Sequence, residues 1–294
     1  MSPQPFRANY AGIDRKSARK KLVTEVACYS ALVAGCALAL APIFWGIATS
    51  LKHEVDVITY PPHFAPISIT FENYRAVLAQ SSTGQLFLNS LLLSVGTIIV
   101  AVVTAVPAAF AAARFQFGTK NALLFGILAM SMVPGISILI PIYILASKFG
   151  LVNNFGYMIL VYSAWMVPQA VWFIKGFIEA LPRELDEAAL IDGSSQVGVL
   201  IHVILPLIRP GLAAISMLVF MFVWNDYLIN AVLASTENSR TVQVALVRQM
   251  QNTVGVSWGQ FTAFATLVIA PVLFMFLALQ RWFIQGLASG SVKG

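Results

Sequence analysis

Residue types that commonly perform catalysis are sparse in this sequence, and their spacing does not fit known reaction centres. His53-Glu54 is not followed by a second histidine at the spacing of zinc proteases, and His202 is isolated. Gly118-Thr119-Lys120 lacks the spacing of a phosphate-binding G-x-x-x-x-G-K-[ST] loop. The sequence therefore predicts no catalytic residue, no bound cofactor, no metal and no ATP site of this kind.

The most informative spacing of polar residues lies in a stretch of moderate polarity, residues 181–206. Glu184 and Glu187 come early in a run that favours helix, where acids suit the positive end of the helix dipole. Gly193 is a good helix stop. A second, apolar helix follows and ends near Leu205-Pro206, so we predict a helix–turn–helix beside the membrane.

The first of these helices has the properties of a docking surface. Ala188 and Ala189 leave a flat face that a groove could accept, while Glu187 and Asp192 offer charge to a partner. The alternative is an amphipathic loop that rests on the bilayer.

The elements around this loop follow from composition. Of the 294 residues, 59% are hydrophobic and 10% are charged, and the mean hydropathy is +0.81. A soluble domain carries about 25% charged residues, so much of this surface must face lipid. The apolar runs are too long and continuous for barrel strands, and helices of about 20 residues span a bilayer.

We predict an all-α integral membrane protein with six transmembrane helices. A basic tail at residues 1–22 precedes the membrane domain, residues 23–284, and a short C-terminal tail covers residues 285–294. The predicted spans lie between Glu25 and Lys52, at about 86–113, between Lys120 and Lys148, and at about 155–174, 211–234 and 261–279. Most spans contain a proline that either kinks the helix beside a cavity or is merely tolerated there: Pro42, Pro107, Pro134, Pro141, Pro168 and Pro271.

The distribution of lysine and arginine predicts the orientation. With six spans, 13 of these residues lie on the side of both tails and of the loop 181–206, and 5 lie on the other side. Both termini are therefore expected in the cytoplasm. The net charge of +6 is then a topology signal that also suits anionic lipid, rather than a nucleic-acid arm. The two longer segments on the other side, residues 52–85 and 235–260, are available to a partner outside the membrane.

The loop also carries a family resemblance. Glu187-Ala188-Ala189, three residues, Gly193, nine residues, Val203, one residue and Leu205-Pro206 follow the pattern E-A-A-x3-G-x9-I-x-L-P. This EAA motif is the loop signature of ABC-importer permeases, and Val203 in place of isoleucine is the only departure. The chain therefore resembles an ABC transporter permease of the bacterial inner membrane.

Other segments narrow the resemblance to the carbohydrate branch, and specifically to the smaller permease of maltose- and glycerol-phosphate-type importers. The resemblance covers nearly the whole chain. The segments that carry it are Tyr60-Pro61, Phe71-Glu72-Asn73-Tyr74, Val223-Trp224-Asn225-Asp226-Tyr227-Leu228 and residues 286–294.

The resemblance implies a type I ABC-importer permease fold, sugar import and several partners. These are a second permease, an ATPase dimer that uses ATP and Mg, and a periplasmic or lipid-anchored solute-binding protein. Residues Glu187, Ala188, Ala189, Asp192 and Gly193 would form a coupling helix seated on one ATPase, and the C-terminal tail would also reach the ATPase dimer.

A solute pathway is harder to predict. Asp226, the only acid inside a predicted span, lies about 22 Å along it, towards the outer third. It either lines the pathway with Asn225 or pairs with a neighbouring helix. Trp224 and Tyr227 suit the interfacial aromatic belt. Sugars need amide hydrogen bonds and stacking faces, which adds further candidates that are otherwise packing residues: Gln169, Trp165, Trp172 and Tyr143.

Three other functions would account for some of these sequence features. An ABC permease for a peptide, polyamine or phosphate ester shares the loop motif. An ion-coupled secondary transporter would need no ATPase, and a membrane enzyme would need a catalytic constellation. The tail and Trp224-Asn225-Asp226 favour the carbohydrate importer.

Overall fold

A computed structural model describes residues 10–250 and 255–291, whose regular structure is helical. The helices are α1 (Tyr10–Ser50), α2 (Glu54–Val57), α3 (Glu72–Ala79), α4 (Thr83–Arg114), α5 (Lys120–Ser131), α6 (Gly135–Lys148), α7 (Phe155–Glu179), α8 (Glu184–Ile191), α9 (Gln196–Gly198), α10 (Leu205–Leu207), α11 (Arg209–Asn225), α12 (Leu228–Leu233), α13 (Val242–Met250) and α14 (Trp258–Ser291). Val199–Ile204 is a π-helical turn between α9 and α10, and Glu237–Ser239 is a 3₁₀ turn.

Helix length and composition agree with the predicted membrane class. Four unbroken helices, α1, α4, α7 and α14, are long and apolar enough to cross a bilayer. Two bent pairs bring the number to as many as six if each pair forms one span. The third predicted span is such a pair: α5 and α6 meet at 90°, and Pro134 immediately precedes α6. Of the prolines in predicted spans, Pro134 marks a break, whereas the others lie inside helices.

The fifth predicted span, residues 211–234, is wrong as a single helix. Helix α11 ends at Asn225, Asp226 has extended backbone angles, and α12 starts at Leu228. On the other side, the segment Gln196–Leu207 meets α11 at 77°, and Pro210 lies in the first turn of α11. Proline suits a helix start because its missing N–H would have no partner there. Asp226 is therefore a residue of an interhelical turn.

The centre of the bundle is the contact between α4 and α7. Small residues on α4 let the two backbones approach, and Ala101, Ala105 and Ala109 are fully buried. Helix α7 offers a buried row in which every fourth residue faces inward, namely Met158, Tyr162, Met166, Ala170, Ile174 and Ile178. Such i, i+4 rows form the ridges by which helices pack.

A second buried cluster joins α3, α4, α11, α13 and α14. Trp224 lies at its centre with 1% of its surface exposed, stacks on Phe220 at 5.3 Å, and donates from Nε1 to the Val268 carbonyl at 3.2 Å. The interpretation of Trp224 as an interfacial belt residue is therefore wrong. Its indole N–H is satisfied inside the protein rather than at the membrane surface.

The end of the bundle opposite α8 is held together by polar side chains. Asn89 of α4 donates to the carbonyls of Asn238 and Arg240, both at 2.8 Å. Asn153, at φ 66°, accepts from the Thr236 N–H and the Ser239 hydroxyl. The Glu54 carboxylate accepts from the backbone N–H groups of Trp258 and Gly259 at the start of α14. These hydrogen bonds fix the segments at this end of the bundle relative to one another, and we call this end the platform.

Helix α1 differs from the others because residues 20–45 are exposed throughout. They include large apolar side chains such as Tyr29, Val33 and Leu38, each more than 60% exposed. An apolar helix with this exposure must be covered by lipid or by another chain.

Candidate coupling loop and solute pathway

Helix α8 forms from the local signals seen in the sequence. Glu184, Asp186 and Glu187 occupy its first turn, near the positive end of the helix dipole. At the other end the Gly193 N–H donates to the Leu190 carbonyl and the Ser194 N–H donates to the Ala189 carbonyl. Gly193 has φ 88°, so the pair of bonds is a Schellman motif that ends the helix. The predicted stop at Gly193 is confirmed.

The predicted docking residues lie together on the outside of α8 and its turn. Glu187, Ala188, Asp192 and Gly193 are exposed, whereas Ala189 is half-buried against the central cluster. Ile191, beside them, is 86% exposed, and its neighbour Leu190 is exposed as well. The result is a small convex surface with an apolar tip, flanked by the acids Glu187 and Asp192.

The second arm of the loop anchors this surface. Ser195 caps it by accepting from the Gly198 N–H at 3.1 Å, and the helical segment then runs to Leu207. Val199 and Ile204 are fully buried in the central cluster. The helix–turn–helix predicted for residues 181–206 is therefore present, with the π-helical turn Val199–Ile204 as a feature that the sequence did not reveal.

Two residues that the sequence reasoning missed connect α8 to the bundle. The Nε atom of Arg114, the last residue of α4, lies 2.5 Å from Asp186 Oδ2 without hydrogen-bond alignment. Its Nη2 group donates to the Leu181 carbonyl at 3.2 Å and to Asp186 Oδ1 at 3.4 Å. The available signal was a lone arginine at the end of one apolar run and an acid next to the motif.

Asp226 is bonded within the chain. One carboxylate oxygen accepts from the Tyr162 hydroxyl of α7 at 2.8 Å and from the Ile229 N–H at 3.0 Å. Asn225 is exposed, donates to the Met221 carbonyl and accepts from Gln243. These bonds agree with the interpretation that Asp226 pairs with a neighbouring helix. A role of Asp226 and Asn225 in the solute pathway stays a prediction.

The other pathway candidates are spread along α7 and α6. Gln169 is exposed, whereas Trp172 donates from Nε1 to the Leu124 carbonyl at 3.3 Å. Measured from Tyr162, the partner of Asp226, these two lie about 10 and 15 Å further along the helix axis. Tyr143 is 44% exposed on α6. The candidates therefore do not form one cluster, and their role stays a prediction.

Two cavities lie beside the break between α5 and α6, and Trp165 lines both. One of about 320 Å³ is bounded by Met130, Ile138 and Pro168, and its walls are mostly apolar. The other, of about 180 Å³, includes Gly135 and Asp226. A Cβ atom on Gly135 would lie 2.8 Å from the Trp165 ring, so this glycine lets the broken span approach α7.

No three His, Cys, Asp or Glu side chains among the residues that the structure describes come together as a metal site requires.

Comparison with known proteins identifies the family. The family described as binding-protein-dependent transport system inner membrane component matches residues 104–289, which include α8 and the motif. The chain belongs to this family. It is thus a multi-pass inner-membrane permease subunit of an ABC importer, a transport component rather than an enzyme, with ATP hydrolysis assigned to a separate ATPase.

Similar permease proteins align with most of this chain and with most of their own length. The chain is 34% identical over 265 residues to the trehalose transport system permease protein SugB of Mycobacterium tuberculosis, covering 87% of this chain and 93% of the relative. It is 31% identical over 253 residues to the diacetylchitobiose uptake system permease protein DasC of Streptomyces coelicolor, covering 86% and 91%.

A solved structure has the same fold. The crystal structure of a bacterial ABC transporter involved in the import of the acidic polysaccharide alginate contains a chain that superposes with a TM-score of 0.76. The match covers 96% of this chain and 100% of that one at 21% identity. The predicted type I importer fold is confirmed.

Proposed function

We propose that this chain is one of two permeases that form the path for ATP-driven import of a saccharide. The relatives named for trehalose and diacetylchitobiose support the saccharide class. The resemblance of residues 223–228 and 286–294 to the carbohydrate branch points the same way; residues 292–294 lie outside the described part of the chain.

The proposed partners are a second permease, an ATPase dimer and a solute-binding protein. ATP and Mg bind to the ATPase subunits. Both tails, residues 1–22 and 285–294, and α8 face the cytoplasm, and the platform at the opposite end faces the binding protein. ATP-driven closure of the ATPases draws the two coupling loops together and opens the permeases outward, and hydrolysis reverses the change. The loaded binding protein must favour one state, because a ligand shifts such an equilibrium only by differential affinity.

One observation above all supports ATPase docking: the exposed surface of α8. Leu190 and Ile191 are both exposed at the end of α8, beside Glu187 and Asp192, and neighbouring exposed apolar side chains with polar residues around them are typical of an interaction surface. Ala188 leaves the surface flat enough for a cleft.

The residues that we propose for the solute pathway are Asn225, Asp226, Gln169 and Trp172.

The test compares tagged wild-type chain with Gly193→Asp after extraction in mild detergent. At φ 88° a substituted residue is strained, and the added carboxylate projects from the proposed docking turn, where nothing lies within 4 Å of a Cβ atom. We expect an ATPase, a second permease and a binding protein to co-purify with wild type. The ATPase should be reduced in the variant, and the ligand of the binding protein would name the solute.

Gly150→Asp is a matched control. Gly150 has φ 65°, has open space around its Cβ position, and ends α6 with the same pair of bonds, from Gly150 to Ser147 and from Leu151 to Ala146. It should retain the ATPase. Equal loss in both variants would assign the effect to backbone strain, and a wild-type chain that purifies alone and transports without ATP would contradict the proposal.

A further inference from the structure

A nearly buried ion pair joins the candidate coupling loop to the centre of the membrane bundle. The side chain of Arg114 is 8% exposed and that of Asp186 is 14% exposed. They are separated by 72 residues in sequence, and the arginine also holds the Leu181 carbonyl, just beyond the end of α7. One guanidinium therefore connects α4, α7 and α8.

Helix α8 also packs on the π-helical turn Val199–Ile204, but this contact does not reach α4 or α7. The helix contains no buried residue, and its contact with the central cluster is through half-buried side chains such as Ala189. By contrast α4 and α7, at the other side of the ion pair, contain the buried rows that form the core of the bundle. A movement of α8 thus has a polar, nearly buried route into these helices.

Two adjacent acids of α8 differ in their surroundings. Asp186 points inward to Arg114, whereas Glu187 is exposed and has no ion-pair partner within 4.0 Å among the described residues. Both ends of the pair also suit their helices, with a cation in the last turn of α4 and an anion in the first turn of α8. The dipoles of both helices therefore favour the pair.

We propose that Arg114 and Asp186 are positioning residues that transmit displacement of the coupling loop to α4 and α7. This inference rests on the proposed function. Without the pair, α8 still presents its outer surface to the ATPase but moves independently of the membrane helices. Binding of the ATPase and hydrolysis of ATP then continue, but the uptake of solute per ATP falls.

The experiment uses the assembled complex in proteoliposomes with Arg114→Gln or Asp186→Asn. The measured quantities are ATPase co-purification, phosphate release, and uptake per ATP of the sugar recovered from the wild-type binding protein. We expect co-purification to be unchanged and uptake per ATP to fall about fivefold or more, the range of energetic coupling between distant sites. The exchange of both charges, R114D with D186R, should recover part of the loss.

Glu179→Gln is the matched control. Glu179 pairs with Lys175 at 2.7 Å, but both residues lie on α7, so the loss of this ion pair disconnects no helix. Uptake per ATP should stay at the wild-type value.

Three outcomes would overturn the inference. They are a wild-type ratio in both single variants, loss of ATPase binding together with transport, and failure of both variants to fold, which would make the pair structural. If the wild-type chain retains no ATPase, the proposed function itself fails, and that result appears without any substitution.

Discussion

Asp226 and Tyr162 form the clearest side-chain pair within the bundle. Tyr162 is fully buried in the α4–α7 contact, and its hydroxyl reaches the carboxylate that starts the turn into α12. A partly buried acid bonded in this way fixes the position of the turn relative to α7. The tyrosine is therefore a structural partner that the sequence could not supply, because the two residues are 64 positions apart.

We expect Tyr162→Phe to destabilise the chain by about 1–2 kcal/mol. The substitution leaves the ring in place but removes a hydrogen bond to a partly buried carboxylate, which keeps its desolvation cost. Thermal unfolding of the purified chain in detergent would measure the change. Tyr143→Phe, at an exposed tyrosine of α6, should unfold like wild type. Equal unfolding temperatures for all three chains would show that the Asp226 bond is not stabilising.

Some residue-scale features were predictable because they are local. Gly193 ends α8 through bonds to residues within five positions, and the acids of the first turn act on the same helix. Trp224 was not predictable in this way. Its burial depends on α14 and α3 arriving from distant parts of the chain, and an aromatic residue near a span end equally suits the membrane surface.

At the scale of helices, apolar run length predicted where most spans lie but not where they break. The run at residues 120–148 is continuous in hydropathy, yet α5 and α6 meet at 90° around Pro134. Residues 226–227 interrupt the fifth run for a different reason, because Asp226 finds partners in Tyr162 and in the start of α12. Apolar composition indicates which segments suit a lipid environment, whereas backbone hydrogen bonds and neighbouring side chains determine where a helix is interrupted.

The contact between α4 and α7 gives a prediction at this scale. Ala109→Leu should destabilise the bundle by about 1–3 kcal/mol, because a fully buried alanine at a close helix contact leaves no space for a larger side chain. Ala108→Leu places the same substitution one residue away on an exposed face and should have little effect. Unfolding in detergent compares the two, and a similar response would argue against close packing at Ala109.

For the whole molecule, the orientation of the chain stays a prediction from its charges. With 13 of 18 basic residues on one side, we expect fusions at either terminus to report a cytoplasmic location. Green fluorescent protein fused at either end should fluoresce, and alkaline phosphatase there should be inactive. A phosphatase inserted after Gln80, in the opposite segment, should be active. The reverse pattern would invert the proposed assignment of α8 to the ATPase side.

The exposure of α1 has a consequence for the order in which the protein is made. Among the residues whose burial is described, neither buried cluster contains one of α1, so the other helices can assemble while most of α1 remains solvated by lipid. The end of α1 bonds to α3 through Ser50 and Asn73, but its extensive contact is with α14, which follows much later in the chain. Most of α1 must therefore wait in the bilayer until α14 has been made, so the order of translation differs from the order of packing.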